Sequence, residues 1–390
     1  MNYILFDGTV RNQLLPFTFT RPVADIRIGI LTIREKWETY LDTTTTTLTE
    51  DYLGHKYPMV ELSENVMINA SFLPNQELVE IVKNLTRHQA VFYEEEVIAF
   101  FTEDVQETIH FESYEAIEFE GDLLRLEYPW DIFSKNGKAI QDDFDLLTFG
   151  RQSMPLSPTN KVLFQENIFL EEGVSVEFAT LNASKGPIYI GKHAEIMEGS
   201  IIRGPFALGE GATVKMGAKI YGPTTIGPYC KAGGEINNSV LFGYSNKGHD
   251  GFLGNSVLGE WCNLGADTNT SNLKNDYSIV KIWSYEAQKF VSTGLQFCGL
   301  MMGDHSKSAI NTMFNTGTVV GVNANIFGAG FPRNFIPSFT WGGPAGYKIY
   351  QPAKALEVAN EVMRRRDVEL TDEDKRILEH IFEITKTERK

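Results

Sequence analysis

Basic charge is scarce in this 390-residue chain, with 35 Lys and Arg against 51 Asp and Glu, for a formal net charge of −16. No block of Lys or Arg forms a stripe able to track phosphates, so DNA and RNA are excluded as expected partners, because non-specific affinity rests on such contacts. A small anionic substrate stays within reach, since a few local cations can hold it against the overall field. Cysteine is almost absent. Cys230, Cys262 and Cys298 are odd in number, widely spaced and form no CxxC, which points to reduced thiols in a cytoplasmic protein. No apolar run approaches the roughly 18 residues that a membrane helix needs. The N-terminal Met1-Asn2-Tyr3-Ile4-Leu5-Phe6-Asp7 has no basic region ahead of a long apolar core, which argues against a secretory signal.

Glycine and aliphatic residues recur with a period. From residue 190 an aliphatic side chain returns every sixth position, at Ile190, Ile196, Ile202, Leu208, Val214, Ile220 and Ile226. Small residues such as Ala194, Ser200, Ala212, Ala218, Thr224 and Cys230 occupy the position two before the next aliphatic or its continuation. Gly or Pro recurs at Gly199, Pro205, Gly211, Gly217 and Pro223. A period of six fits neither a helix nor a simply alternating strand. It fits a triangular coil in which each hexapeptide forms one side, an aliphatic residue fills the prism and Gly or Pro turns the corner. This is the hexapeptide pattern of a left-handed parallel β-helix. The register returns at Phe252, Leu258 and Leu264, and again at Met302, Phe314, Val320 and Ile326. Residues 233–251 and 266–300 break it, and breaks in a solenoid mark loops on one face, often the binding face. The Ala-, Glu-, Arg-, Lys- and Leu-rich segment 353–388 predicts C-terminal helices, with a start near Thr371. Three domains follow: 1–150 as an α/β unit, 151–345 as the β-helix and 346–390 as a helical tail.

The segment from Gly243 to Ala266 carries Lys247 and His249, then Gly254-Asn255-Ser256-Val257-Leu258-Gly259 and Asn263-Leu264-Gly265-Ala266. These residues resemble the acetyltransferase half of the bifunctional N-acetylglucosamine-1-phosphate uridylyltransferase/glucosamine-1-phosphate acetyltransferase family, without a gap from His249 to Asn272. The resemblance implies that His249 is the general base of acyl transfer from acetyl-CoA, a task suited to a group titrating near neutrality. It further implies substrate contacts from Lys247, Phe252, Asn263, Asn272 and Lys274, and a homotrimer whose sites lie between neighbouring chains. Phe252 stands where the family carries tyrosine, and Leu273 replaces a second tyrosine. His193 falls at a coil corner and His305 follows Met301-Met302-Gly303-Asp304, and both read as structural. Trp341-Gly342-Gly343-Pro344 reads as a turn closing the prism.

At the N-terminus, the apolar run Tyr3–Phe6 leads into Asp7-Gly8-Thr9-Val10-Arg11, followed by Leu15-Pro16-Phe17-Thr18-Phe19-Thr20-Arg21-Pro22. A strand feeding a glycine loop lets backbone N–H groups approach phosphate. The segment resembles the sugar-phosphate nucleotidyltransferase signature, which implies a Rossmann-like α/β fold with Gly8, Arg11 and Arg21 at the nucleotide. Val23 stands where the family has its catalytic lysine. The segment matching the metal-binding aspartate is Val66-Met67-Ile68-Asn69-Ala70-Ser71, without a carboxylate, which leaves Asp131 of Tyr128-Pro129-Trp130-Asp131 as the candidate ligand for Mg²⁺ if nucleotidyl transfer is retained. The expected function is an acyl-CoA-dependent acyltransferase acting on a sugar phosphate or nucleotide sugar. The alternatives are a sugar-1-phosphate nucleotidyltransferase with a trimerising β-helix, and a non-catalytic nucleotide-sugar sensor.

Overall fold

The computed structural model describes residues 1–105 and 110–389. The N-terminal unit is built on a six-stranded mixed sheet in the order β2-β1-β3-β5-β4-β6, with β1 Asn2–Phe6, β2 Thr46–Leu48, β3 Asn65–Asn69, β4 Gln89–Tyr93, β5 Glu96–Thr102 and β6 Glu115–Glu118. β1 runs parallel to both neighbours, which places the ends of β1 and β3 side by side. Helices α1 (Ile33–Leu41) and α2 (Gln76–Lys83) share a core with the sheet, whereas α3 (Asn136–Thr148) turns Ile140 and Phe144 against Phe169 and Tyr189 of the solenoid. α1 starts where Thr32 and Glu35 form a reciprocal capping box, satisfying two otherwise orphan N–H groups.

From Lys161 the chain winds into a left-handed parallel β-helix with three faces of six, nine and ten strands. Ile188 pairs with Phe206 and Phe206 with Thr224, so one coil takes 18 residues. The aliphatic residues from Ile190 to Ile226 and the small residues from Ala194 to Cys230 lie inside, all at 0–1% exposure. Corners use the left-handed region even without glycine. Tyr229, Tyr244, Trp261 and His305 all have φ between 52° and 61°. Their rings stack coil upon coil, with centroids 5.1, 4.2 and 6.3 Å apart, and the contact offsets part of the backbone strain.

The two breaks in the hexapeptide period have different causes. Across the first, Thr225 pairs with Val240, a coil shortened to 15 residues that keeps all three faces. The second is a true excursion, for Val257 pairs next with Met301. It carries an antiparallel hairpin, Lys281–Ser284 with Lys289–Ser292. That hairpin braces the N-terminal unit: Tyr285 meets Phe19 edge-on at 5.2 Å. Trp341 lies in a closing hairpin, Thr340–Gly343 with Gly346–Ile349.

The chain ends in α4 (Pro352–Arg364) and α5 (Asp372–Ile384), the latter capped by Thr371 with Asp374. One continuous apolar core joins the N-terminal unit, the outer side of the solenoid and both C-terminal helices, running from Phe17 and Trp37 through Phe242 and Tyr285 to Ile377. Polar bonds cross the same junction: Thr225 Oγ1 donates to Gly29 O at 2.8 Å and Arg27 Nε to Phe242 O at 3.0 Å.

Candidate functional site

His249 sits at an exposed corner between the strands Asn246–Lys247 and Phe252–Gly254. The corner is held from inside. Lys247 pairs in register with inward-facing Ala232, so its side chain enters the prism, where it is only 2% exposed. Its ammonium donates to Gly233 O at 3.0 Å and to the carbonyl of His249. Burial pulls its pKa down to about 8, against the pull of Asp250 and Asp267. The substrate contact expected of Lys247 is not available from this position, because its ammonium never reaches the outer surface. Gly234 adopts φ +69°, and a Cβ there would come 2.8 Å from the His249 carbonyl.

Phe252 and Asn272 meet at the far end of the strand that follows this corner, over Gly254, where a Cβ would lie 2.6 Å from each. Asn269 Oδ1 accepts from Phe252 N at 2.8 Å, and Asn272 Nδ2 donates to Asn255 Oδ1 at 2.8 Å. Lys274 stands further out, donating to Ile279 O at 3.1 Å. Asn263 is not in this group. It lies on the ten-stranded face, in a separate cleft under α4. Sequence reasoning does not single out Asn255, which directly follows the strand Phe252–Gly254, or Asn269, which opens the strand Asn269–Thr270.

The N-terminal loop has a different surrounding. Gly8 adopts φ +62° beside Asn69, whose Oδ1 would lie 3.0 Å from a Cβ at that position, so β1 and β3 do bring loop and amide together. Arg11, however, is turned inward, ion-paired to Asp7 at 3.2 Å and donating to Thr18 O and Tyr52 Oη at 2.7 Å each. Arg21 is buried against the solenoid, paired with Asp304 and 3.4 Å from Glu260. Burial alone would depress its pKa, but those two carboxylates hold it above its ordinary value. Both arginines are therefore spent on protein contacts rather than presented to phosphate. Asp131 accepts from Glu127 N at 2.9 Å and Tyr128 N at 3.1 Å and pairs with Lys135 at 3.3 Å, which makes it a turn-forming residue. Asp7 is bound to Val23 N and Thr49. Among the described residues no group of three or more His, Cys, Asp or Glu is placed to hold a metal. The donor set does not fit Mg²⁺.

His305 is buried at the same ring stack as Trp261, and burial with Lys307, Lys56 and Arg21 nearby pushes its pKa well down. His193 occupies a corner at φ 56°.

The fold defines an architecture: a mixed-sheet α/β unit fused to a three-faced parallel β-helix and closed by two C-terminal helices. Residues 3–152 match the family model described as sugar nucleotidyl transferase. The chain is similar to the bifunctional sugar-1-phosphate nucleotidylyltransferase/acetyltransferase of Sulfurisphaera tokodaii, 30% identical over 214 residues, 54% of this chain and 46% of that protein. It is also similar to the bifunctional protein GlmU of Methanococcus vannielii, 26% identical over 271 residues, 67% of this chain and 55% of that protein. The chain thus spans about half the length of these curated relatives. Among solved structures, a UDP-N-acetylglucosamine acyltransferase from Bacteroides fragilis aligns at 15% identity and a TM-score of 0.31, over 58% of this chain and 96% of that one.

Proposed function

We propose that this protein is a sugar-nucleotide-pathway transferase whose β-helix moves an acyl group from acetyl-CoA to a sugar phosphate or nucleotide sugar. The observation that carries the reading is His249, an imidazole exposed at a prism corner whose backbone is fixed from within by Lys247. In the reaction, His249 takes the proton from the attacking amine or hydroxyl as the new bond forms at the thioester carbon. The C–S bond then breaks, and the proton passes to the departing thiolate of CoA. Phe252, Asn255 and Asn272 gather over Gly254, at the far end of the strand that follows His249. The similarity to the bifunctional relatives from Sulfurisphaera and Methanococcus supports a transferase of this kind.

The working unit in this proposal is a homotrimer. On the six-stranded face Leu163, Ile201 and Tyr221 are 56, 55 and 36% exposed among the polar Asn182, Arg203 and Lys219, a mixed surface open to a neighbouring prism. Docking there sets a second chain beside the His249 corner. A cytoplasmic location suits both the acetyl-CoA donor and the three free, buried cysteines. No described helix is long and apolar enough to cross a membrane.

Nucleotidyl transfer is the second reading, favoured by the family match over residues 3–152 and opposed by the commitments of Arg11 and Arg21. Two assays separate them: acetyl transfer to a panel of amino-sugar phosphates, and pyrophosphate release from nucleoside triphosphates with sugar 1-phosphates and Mg²⁺. Acetyl transfer that His249→Ala abolishes supports the first reading. Pyrophosphate release without acetyl transfer replaces it with the second, and binding without turnover in either replaces both with a sensor.

A further inference from the structure

A row of polar side chains runs along the outside of the ten-stranded face. Lys231 pairs in register with Asn246, Asn246 with Asn263, and Asn263 with Lys307. Each stands one residue before an inward-facing position, so all four point away from the prism. Opposite them, across a cleft of about 620 Å³, stand Arg365 and Arg366 at the end of α4.

No carboxylate lines this cleft. Neighbouring Arg364 pairs with Glu361 outside it, whereas the four cations within form no ion pair among the described residues. Their polar bonds are to neutral groups: Arg366 Nη2 to Asn246 Oδ1 at 3.0 Å and Lys307 Nζ to His305 O at 2.8 Å. In a chain with net charge −16, four unpaired cations around one cleft oppose folding through mutual repulsion. The repulsion registers on Lys231, whose pKa is drawn down by Arg366, burial, Lys215 and Arg365. Burial draws that of Lys307 down to about 8. A helix C-terminus accounts for arginines at the end of α4, but not for the two lysines facing them from the solenoid.

We propose that this cleft is a binding site for a phosphorylated small molecule, with a diphosphate lying along the row from Lys231 to Lys307. Strands stand about 4.8 Å apart, so the three steps of the row span about 14 Å, room for two phosphoryl groups with a lysine each. Amide donors of Asn246 and Asn263 lie between them. Both faces of Trp261 are already taken by Tyr244 and His305, so the ligand is recognised through charge rather than through a stacked base. The site is separate from the His249 corner and does not rest on the acyltransferase reading.

Isothermal titration of the full chain with inorganic pyrophosphate, and separately with orthophosphate, tests the proposal. Saturable pyrophosphate binding is expected, at least tenfold tighter than orthophosphate and weakened by salt. Lys231→Gln, which touches no hydrogen bond seen here, should lose about tenfold, and Lys231→Gln/Arg366→Gln at least that much again, with thermal midpoints held or raised. His249→Ala should bind as wild type. No saturable binding by the wild type, equal affinity for orthophosphate, or undiminished affinity in the well-folded Lys231→Gln variant would each overturn it.

Discussion

Replacing Arg21 by methionine tests whether the N-terminal loop is a strut rather than a ligand clamp. The substitution keeps an apolar stem over the Phe242 ring, where the guanidinium carbon now lies 5.2 Å from the centroid, and removes only the charge. Asp304 is then left 4% exposed, with Thr20 Oγ1 at 2.8 Å and Glu260 N at 2.9 Å as its remaining donors. Removing one partner of a buried pair costs about 3–5 kcal/mol, because the other charge stays buried without compensation. Glu260, partly exposed, adds little. Urea unfolding followed through tryptophan fluorescence measures the loss, and the shared core predicts that both halves unfold together. The sign with pH is fixed as well. Burial already raises the Asp304 carboxyl, and without Arg21 it rises further, so the folded state takes up a proton more readily than the unfolded one. The penalty therefore shrinks as pH falls through this raised folded-state pKa towards the ordinary carboxylate range. Adding Asp304→Leu should return stability to within about 1 kcal/mol of wild type, since an apolar pair can replace a buried ion pair. A loss below about 1 kcal/mol for Arg21→Met, with no pH dependence, refutes the strut and returns Arg21 to the service of a ligand.

Lys247→Met should leave the thermal midpoint unchanged or raised, by relieving burial of a charge, yet lower kcat more than it changes KM as the His249 corner loosens. Between about pH 8 and 10.4 the stability of wild type should rise relative to that of Lys247→Met, because Lys247 titrates near 8 when folded and near 10.4 when unfolded, so at this site the unfolded chain binds more protons. The expected slope of that difference is about 1.4 kcal/mol per pH unit in parallel urea titrations, since Lys307 and the buried cysteines titrate alike in both proteins. Ile202→Ala, inside the prism at 0% exposure, should cost about 2–5 kcal/mol in the same assay.

The prism was legible because every hexapeptide donates one inward aliphatic side chain, so Ile190 to Ile226 announce both period and interior. The inward turn of Lys247 was hidden by the coil shortened to 15 residues. Carrying the register through that three-residue loss puts Lys247 in line with Val214, Ala232 and Leu264, and Lys231 in line with Lys307. Thr371 was readable as a helix start because capping is local. The pairing of Arg21 with Asp304 was not, because 283 residues separate them and an ion pair leaves no periodic trace. The excursion at 266–300 was visible as a break, but its role as a brace depends on Tyr285 meeting Phe19, again a distant contact. In the N-terminal unit the missing lysine and aspartate were plain at Val23 and Asn69. The inward turn of Arg11 followed from Asp7 and Tyr52 and required the fold.

The most direct test of the acyltransferase assignment is the rate of CoA release with acetyl-CoA and an amino-sugar phosphate, for wild type and His249→Ala at matched thermal midpoints. A loss of about 100-fold or more in kcat is predicted, the scale of a general base removed. A folded His249→Ala variant that releases CoA at the wild-type rate, with the same acceptor, would contradict it.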